Sequence, residues 1–243
     1  MVMPNLNKKK STRTFNTILK KPVFRVVEAY KTLRTNMLFS VPAVEGRSKR
    51  FMFTSANPSE GKSTTSANTA ITFAQQTDVK VILIDADLRK ATLHKYFGLS
   101  AKKGLSNFLA GQDTLENCIQ RVTEVENLYL LASGVLPPNP AELLSGKQME
   151  VLFEELDKNF DVVIIDTPPI NVVADALSIS PFVDGVTMVA TDNKTTYNEL
   201  QDAVKALKVA DAKILGVVLN KARTSNYKSR QKYSNYYRSE DEK

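Results

Sequence analysis

Residues 51–65 of the chain read FMFTSANPSEGKSTT, and this stretch decides the fold. Its first residues are an apolar run that predicts a strand, and the Ala- and Thr-rich residues 63–76 predict a helix. Gly61 allows the backbone to approach a phosphate closely, and Lys62 can reach the β- and γ-phosphates of a nucleotide. Ser63 offers a hydroxyl group to Mg²⁺. We therefore predict a phosphate-binding loop between this strand and this helix.

One position of the loop departs from the usual pattern. The common motif begins with a glycine, and here Ala56 stands at that position. The alternative interpretation is a chance Gly-Lys-Ser tripeptide in a surface turn. The flanking strand and helix favour the phosphate-binding loop, because such a loop needs both of them.

Further apolar runs predict the rest of the fold. Continuous runs without alternation are typical of strands that are buried on both faces, as in a parallel sheet covered by helices. Such runs lie at residues 79–84, 162–165, 185–190 and 214–219. Apolar residues at helical spacing mark residues 141–158 and 195–210, and we predict a further helix at about residues 25–40. The alternation predicts an α/β fold with a doubly wound, mostly parallel sheet flanked by helices.

Two of the predicted strands end in aspartates. The segment ILIDADLR places Asp85 and Asp87 at one strand end, and VVIIDTPP places Asp166 at another. Ligands bind at the carboxyl edge of doubly wound sheets, where carboxylates can hold Mg²⁺ or its waters. Each aspartate alone could instead cap a helix or lie in a turn. The three together with the loop predict a site for a nucleoside triphosphate and Mg²⁺.

The charge of the chain is concentrated at its ends. The net charge is +7, but residues 1–50 carry 12 basic and 2 acidic residues, whereas residues 51–220 carry 14 and 21. Residues 221–243 carry 7 basic and 3 acidic residues. We predict three parts: a basic arm and helix at 1–44, a nucleotide-binding domain at 45–220, and a flexible tail at 221–243. Basic ends favour an anionic surface, and the alternative is a solubilising role.

The composition excludes several classes of protein. The single cysteine, Cys118, cannot form a disulfide within the chain, and together with the single histidine, His94, it cannot build a zinc site. No apolar run approaches the roughly 18–20 residues that cross a bilayer. The amino terminus is polar and basic, which does not match a secretory signal.

The motifs and their order resemble those of bacterial tyrosine kinases, a branch of the P-loop ATPases. The segment SANPSEGKSTT is similar to the family's Walker A motif, ILIDADLRK to its Walker A′ motif and VVIIDTPP to its Walker B motif. Three more segments resemble family segments: VEAYKTLRTN at 27–36, an oligomerisation helix; GVLPPNPAELL at 134–144; and YKSRQKYSNYY at 227–237, a terminal tyrosine cluster.

The resemblance implies site roles for individual residues. Catalysis would depend on Lys62, Asp85, Asp87 and Asp166, with Ser63, Asp87 and Asp166 near the metal. A carboxylate can take the proton of a tyrosine phenol, and we predict Asp85 for this role, although Asp85 and Asp87 could exchange roles. ATP and Mg²⁺ are the implied cofactors. The predicted nucleotide-binding residues are Ser59, Glu60, Gly61, Lys62, Ser63, Thr64 and Asn220.

Two further sets of residues follow from the resemblance. The predicted phosphoacceptors are Tyr227, Tyr233, Tyr236 and Tyr237. Each phosphate would add about −1.5 to −2 charge, so two or three would reverse the positive charge of the tail. The predicted oligomerisation residues are Glu28, Lys31 and Arg34. They match the family's Glu-x-x-Arg-x-x-Arg motif except that Lys31 replaces the first arginine, which removes its bidentate fork.

The implied function is a protein-tyrosine kinase that autophosphorylates its tail in trans and regulates capsular or exopolysaccharide synthesis and export. The implied partners are the cytoplasmic tail of a transmembrane co-polymerase-type activator, further copies in a homo-oligomeric ring while the tail is unphosphorylated, and a protein-tyrosine phosphatase. We expect no nucleic-acid partner. The expected location is cytoplasmic, at the inner face of the cell membrane through the activator.

Two alternatives remain open from the sequence. A switch ATPase of the partition or division-site class shares the expected fold, but those proteins usually carry a second lysine early in the loop. The corresponding stretch here is Ser55-Ala56-Asn57, without a lysine. A non-catalytic, nucleotide-dependent scaffold is the other alternative, and the complete set of predicted catalytic residues argues against it.

Overall fold

A computed structural model of the chain describes residues 17–20 and 22–222. The four predicted phosphoacceptor tyrosines, at 227–237, lie outside the described residues, as does most of the basic arm. The division of the chain at residues 44 and 220 stays a prediction.

Seven strands form a single sheet. In chain order they are β1 (Lys49–Ser55), β2 (Val81–Asp85), β3 (Ile119–Arg121), β4 (Leu128–Leu131), β5 (Val162–Asp166), β6 (Gly185–Thr191) and β7 (Ile214–Asn220). Their order across the sheet is β3-β4-β2-β5-β1-β6-β7. All neighbouring strands are parallel except β3, which pairs antiparallel with β4. This confirms the predicted doubly wound, mostly parallel sheet.

Helices cover both faces of the sheet. In chain order they are α1 (Phe24–Ser40), α2 (Lys62–Ala74), α3 (Leu93–Phe97), α4 (Leu105–Leu109), α5 (Leu115–Cys118), α6 (Pro140–Leu144), α7 (Gln148–Asp157), α8 (Asp175–Ile179) and α9 (Tyr197–Val209), with a 3₁₀ turn at Ser180–Phe182. Three of the four predicted helices are confirmed as single helices. The predicted helix at 141–158 is instead two, α6 and α7, separated by residues 145–147, which include Gly146.

Strands β1, β2, β5 and β6 are buried on both faces, as their sequences predict. The same prediction is wrong for β7, because this strand lies at the edge of the sheet and leaves Val217 and Leu219 48% and 56% exposed. In β1, Phe51 and Phe53 pack with α1, α2 and α3, whereas Met52 points to the opposite face and packs with α7, α8 and α9. All three side chains are completely buried. Full burial of a large apolar side chain contributes about 1.5–3 kcal/mol, so both faces of β1 stabilise the sheet.

The sheet brings the predicted site residues to one edge. β5 lies between β1 and β2, and Asp166 is level with Asp85 on one side and with Phe53 on the other. The loop after β1, the aspartates of β2 and the aspartate of β5 therefore meet at the carboxyl edge. Among the described residues, none of the helices is both long and apolar enough to cross a membrane.

Candidate active site

The phosphate loop joins β1 to α2 and enters the helix through Gly61. Gly61 is the residue before the helix, with φ of 92° and ψ of 16°. A Cβ atom at this position would lie 1.9 Å from Nδ2 of Asn220. Glycine is thus required for two reasons, the left-handed backbone and the space that Asn220 occupies. The first turn of a helix leaves backbone amides without an intrahelical partner, and at the start of α2 such amides suit a bound phosphate.

Glu60 ties the loop to the ends of β6 and β7. Its buried carboxylate accepts a hydrogen bond from the backbone N–H of Asn57 at 3.0 Å and another from the hydroxyl of Thr195. Its backbone carbonyl accepts from Thr191 Oγ1 at 3.0 Å and from Asn220 Nδ2 at 2.9 Å. The Glu60 side chain is therefore part of the loop's internal support. Its predicted contact with the nucleotide stays a prediction.

Lys62 lies within reach of two of the three aspartates. Its ammonium group is 2.9 Å from Oδ2 of Asp87 and 3.6 Å from Oδ2 of Asp166. Ser63 Oγ is 3.4 Å from the same nitrogen. The structure thus brings the predicted catalytic lysine, the predicted metal-binding serine and the carboxylates together at the head of α2.

Asp85 occupies a different environment from Asp87. One oxygen of the fully buried Asp85 accepts hydrogen bonds from the backbone N–H groups of Thr92 at 3.0 Å and Leu93 at 2.9 Å. Burial, followed by the nearby charge of Asp166, raises the pKa of Asp85 to about 7. Asp87 instead pairs with Lys62.

The pKa values of the other two buried groups are also shifted. Burial disfavours the charged form of Lys62, but Asp166 and Asp87 outweigh it and raise the pKa of this lysine. Burial raises the pKa of Asp166, and Lys62 and Ser63 oppose that shift. Lys62 therefore stays charged and is available to an anionic ligand.

The carboxylates have oxygens to spare for a hydrated cation. Within the described part of the chain, Asp85 Oδ1 and both oxygens of Asp166 are buried without a hydrogen bond, although Asp166 Oδ2 has Lys62 as an ionic partner at 3.6 Å. Across that same part, no group of three His, Cys, Asp or Glu side chains could hold a metal ion by itself. Mg²⁺ needs no such cage, because it keeps several waters and usually binds one or two carboxylates together with substrate phosphates. The residues present fit that mode of binding.

Other predicted residues have contacts within the same subunit. The Thr64 hydroxyl lies 2.7 Å from the hydroxyl of Tyr96 in α3. On α1, Glu28 and Lys31 form an exposed ion pair at 2.8 Å. Arg34 donates a hydrogen bond to the backbone carbonyl of Thr72 in α2 at 2.7 Å. Their predicted role in oligomerisation stays a prediction, and Arg34 also joins α1 to α2.

Sequence reasoning missed one polar contact beside the site. Arg89 Nε and NH2 donate to the two carboxylate oxygens of Asp175 at 2.9 and 3.0 Å, and the Asp175 side chain is completely buried. This bidentate pair ties the loop after Asp87 to α8, which follows the loop after β5. Arg89 belongs to the segment ILIDADLR, but its partner lies 86 residues away, which no local pattern reveals.

Comparison with known proteins supports the same family. A family model described as an AAA domain matches residues 57–217. The chain is 44% identical to the tyrosine-protein kinase YwqD of Bacillus subtilis, over 82% of this chain and 83% of that protein. It is 39% identical to the putative tyrosine-protein kinase CapB of Staphylococcus aureus, over 88% of this chain and 92% of that protein.

Two kinds of solved structure resemble the chain to different degrees. The kinase domain of the Escherichia coli tyrosine kinase ETK matches with a TM-score of 0.79 and 35% identity, over 86% of this chain and 81% of that one. The septum site-determining protein MinD of Pyrococcus horikoshii, solved with Mg-ADP, matches with a TM-score of 0.60 and 24% identity, over 73% and 72%. The second likeness concerns the fold alone, whereas the first extends to the sequence. With its phosphate loop, its three strand-end aspartates and these relatives, the chain belongs to the family of bacterial tyrosine-protein kinases.

Proposed function

We propose that this tyrosine kinase transfers the γ-phosphoryl group of ATP, with Mg²⁺, to tyrosines of its own tail (residues 221–243), in trans between subunits. The observation that carries the proposal is the position of Lys62. Its ammonium group lies between Asp87 and Asp166 at the start of α2, where the phosphate loop ends.

Lys62 would change partners when ATP binds. The β- and γ-phosphate oxygens carry more negative charge than the two carboxylates, so the ammonium group would move from Asp87 and Asp166 to the phosphates. That movement would free both carboxylates to hold the waters of Mg²⁺, with Ser63 as a further oxygen ligand. Mg²⁺, when bound, neutralises charge on the phosphate oxygens.

Asp85 would act on the tyrosine. The phenol oxygen attacks the γ-phosphorus, and the bond from that phosphorus to the bridging oxygen breaks. ADP leaves with the electron pair, and the phenol proton passes to Asp85. The free Oδ1 of Asp85 supports this assignment, because Asp85 Oδ2 is held by two backbone amides and Asp87 and Asp166 would hold the waters of Mg²⁺ once Lys62 has moved to the phosphates. A raised pKa also brings Asp85 closer to the working range of a general base.

The wider role rests on the family resemblance. We propose that phosphorylation of Tyr227, Tyr233, Tyr236 and Tyr237 loosens a homo-oligomeric ring by reversing the charge of the tail. The partners would be the cytoplasmic tail of a transmembrane activator, which would place the protein at the inner face of the membrane, and a protein-tyrosine phosphatase. The regulated process would be capsular or exopolysaccharide synthesis and export.

The test is the intact mass of the full chain after incubation with MgATP, with and without a peptide from a candidate activator's cytoplasmic tail. We expect added phosphates that map to the tail and that disappear in Lys62→Met. The matched control is Lys205→Met, because Lys205 is an exposed lysine on α9, far from the loop in sequence. Steady ATP hydrolysis without added mass would instead support a switch ATPase.

Replacement of the four tail tyrosines by phenylalanine tests the acceptor assignment. The variant should lose most of the added phosphate and keep nucleotide binding. Undiminished phosphorylation of this variant would show that the acceptors lie elsewhere in the chain.

A further inference from the structure

An apolar segment lies beside the active site and takes no part in the proposed phosphoryl transfer. Residues 134–139 follow β4, the neighbour of β2 in the sheet. Leu131 is level with Ile84, so Ala132 comes level with Asp85 at the carboxyl edge. The segment thus begins a few residues beyond the proposed catalytic aspartate.

The segment is held in place by α4. Ala132 and Ser133 accept hydrogen bonds from the first amides of that helix at 2.7 and 2.9 Å, and the Ser106 hydroxyl donates to the carbonyl of Val135 at 2.6 Å. At Gly134, where φ is 81°, a Cβ atom would lie 2.4 Å from Asn107 Oδ1. The backbone after β4 is therefore held by hydrogen bonds to α4.

This backbone presents apolar side chains to solvent. Val135 is 60% exposed and Leu136 is 62% exposed. They border a cleft of about 570 Å³, which we call the β4 cleft. Its principal lining residues are Val135, Leu136, Pro137, Pro138, Glu142 and Leu143. These side chains are exposed although hydrogen bonds hold their backbone in place. Apolar surface of this kind is typical of a binding site.

We propose that the β4 cleft binds a second tyrosine ring of the tail while a neighbouring tyrosine faces Asp85. The inference deepens the proposed function and rests on it. The cleft would make clustered tyrosines better substrates than isolated ones. Tyr233, Tyr236 and Tyr237 form such a cluster in the tail.

Charge supports the tail as the occupant. Residues 227–238 contain four basic and no acidic residues, whereas residues 51–220 have a balance of −7. Glu142 adds a carboxylate to the cleft itself. An unmodified tyrosine ring suits apolar walls beside a carboxylate, and a phosphotyrosine dianion does not. Each phosphorylation would therefore weaken the hold of the cleft on the tail.

The chain outside the described residues is long enough to supply the occupant. Residues 223–243 follow the last described residue, which lies just beyond β7 at the same edge of the sheet. Within one subunit, β7 and β4 are five strand spacings apart, or about 24 Å. Tyr233 is 11 residues beyond Ala222, a span of up to about 36 Å, so the tail is long enough to extend beyond its own subunit to the cleft of an adjacent copy, as transfer in trans requires.

The experiment measures binding of a tail peptide, so it does not depend on catalysis. The protein is the full chain with its four tail tyrosines replaced by alanine, so that its own tail supplies no ring. The probe is a fluorescent peptide of residues 229–239, SRQKYSNYYRS, with Tyr233 kept and residues 236 and 237 as tyrosine, phenylalanine or alanine. Fluorescence anisotropy gives the Kd of each peptide.

We expect the tyrosine and phenylalanine peptides to bind within about twofold of each other and the alanine peptide about tenfold more weakly. The discrimination is the ratio of the Kd of the alanine peptide to the Kd of the phenylalanine peptide. Leu136→Ser and, separately, Val135→Ser should reduce this ratio to below about threefold. Both residues are exposed, so these substitutions leave the core intact. The matched control is Val209→Ser, a residue that is 90% exposed at the end of α9, which should keep the full discrimination.

Equal binding of the phenylalanine and alanine peptides would overturn the inference, as would discrimination that survives both cleft substitutions. A change in sedimentation of Leu136→Ser without a change in discrimination would identify the cleft as an interface between copies and also overturn it. Failure of the proposed function has a different signature. In that case the protein still binds the phenylalanine peptide more tightly than the alanine peptide. It transfers no phosphate to Tyr233 of the phenylalanine peptide, even when the activator peptide is present.

Discussion

The contact between Gly61 and Asn220 offers a quantitative test of the phosphate loop. The perturbation is Gly61→Ala. The new Cβ atom would require a left-handed backbone at φ of 92°, and it would lie 1.9 Å from Asn220 Nδ2. The two effects can be separated because they involve different partners.

The magnitude follows from those two effects. Left-handed backbone costs a residue with a Cβ atom about 1–2 kcal/mol. Asn220 must also move by more than 1 Å, which breaks its hydrogen bond to Glu60 at 2.9 Å and costs about 1 kcal/mol. The expected loss for Gly61→Ala is therefore about 2–3 kcal/mol, and Asn220→Ala alone should lose about 1 kcal/mol. The double variant should lose about as much as Gly61→Ala alone, because both variants break the same bond.

The assay is urea unfolding followed by far-UV circular dichroism, since the sequence contains no tryptophan. A loss of 2–3 kcal/mol corresponds to a midpoint lower by about 1 M urea. Gly111→Ala is the matched control, because Gly111 has a φ of 68° and no atom within 4 Å of the added Cβ. It should show the backbone cost without the contact. The reasoning fails if the two losses at Gly61 and Asn220 add fully, or if Gly61→Ala costs no more than Gly111→Ala.

Two further predictions concern buried carboxylates near the site. Because burial raises the pKa of Asp85 from 3.8 to about 7, the folded protein binds a proton that the unfolded chain does not, and stability falls as the pH rises from about 4 to 7. Asp85→Asn should remove this decline and stabilise the protein at pH 8 by up to about 4 kcal/mol. The measurement is urea unfolding in buffer without nucleotide or divalent cations. An unchanged pH dependence of stability would contradict the raised pKa of Asp85. Arg89→Ala should destabilise the protein by about 2 kcal/mol, because it leaves the buried Asp175 carboxylate without a partner. The loss should be smaller than for a fully buried ion pair, since the Arg89 side chain is half-exposed. Arg89→Lys should restore only part of that loss, and a full restoration would show that the bidentate geometry is unimportant.

Local patterns predicted those elements whose burial is uniform along the chain. β1, β2, β5 and β6 were predicted because continuous apolar runs are a direct consequence of burial on both faces. β7 was also predicted from its apolar run, although this edge strand is only partly buried. β3 and β4 were not predicted, since they have three and four residues and carry too short a pattern. The break between α6 and α7 also escaped prediction, because the apolar spacing continues across it.

The sequence by itself identified the residues that meet at the candidate site. A Gly-Lys-Ser segment between a strand and a helix, and aspartates at the ends of two buried strands, are local patterns that need no knowledge of packing. They were sufficient to predict the fold class and the family, which the comparisons confirm.

Only the tertiary structure decided how those groups are arranged. The sheet order places β5 between β1 and β2, and this puts Lys62 beside Asp87 and Asp166 while leaving Asp85 with a free oxygen. The buried position of the Glu60 carboxylate likewise depends on Thr195, which donates a hydrogen bond to it and lies 135 residues further along the chain. Such contacts join segments that are distant in the chain, and their geometry arises from packing of the whole sheet rather than from any local preference.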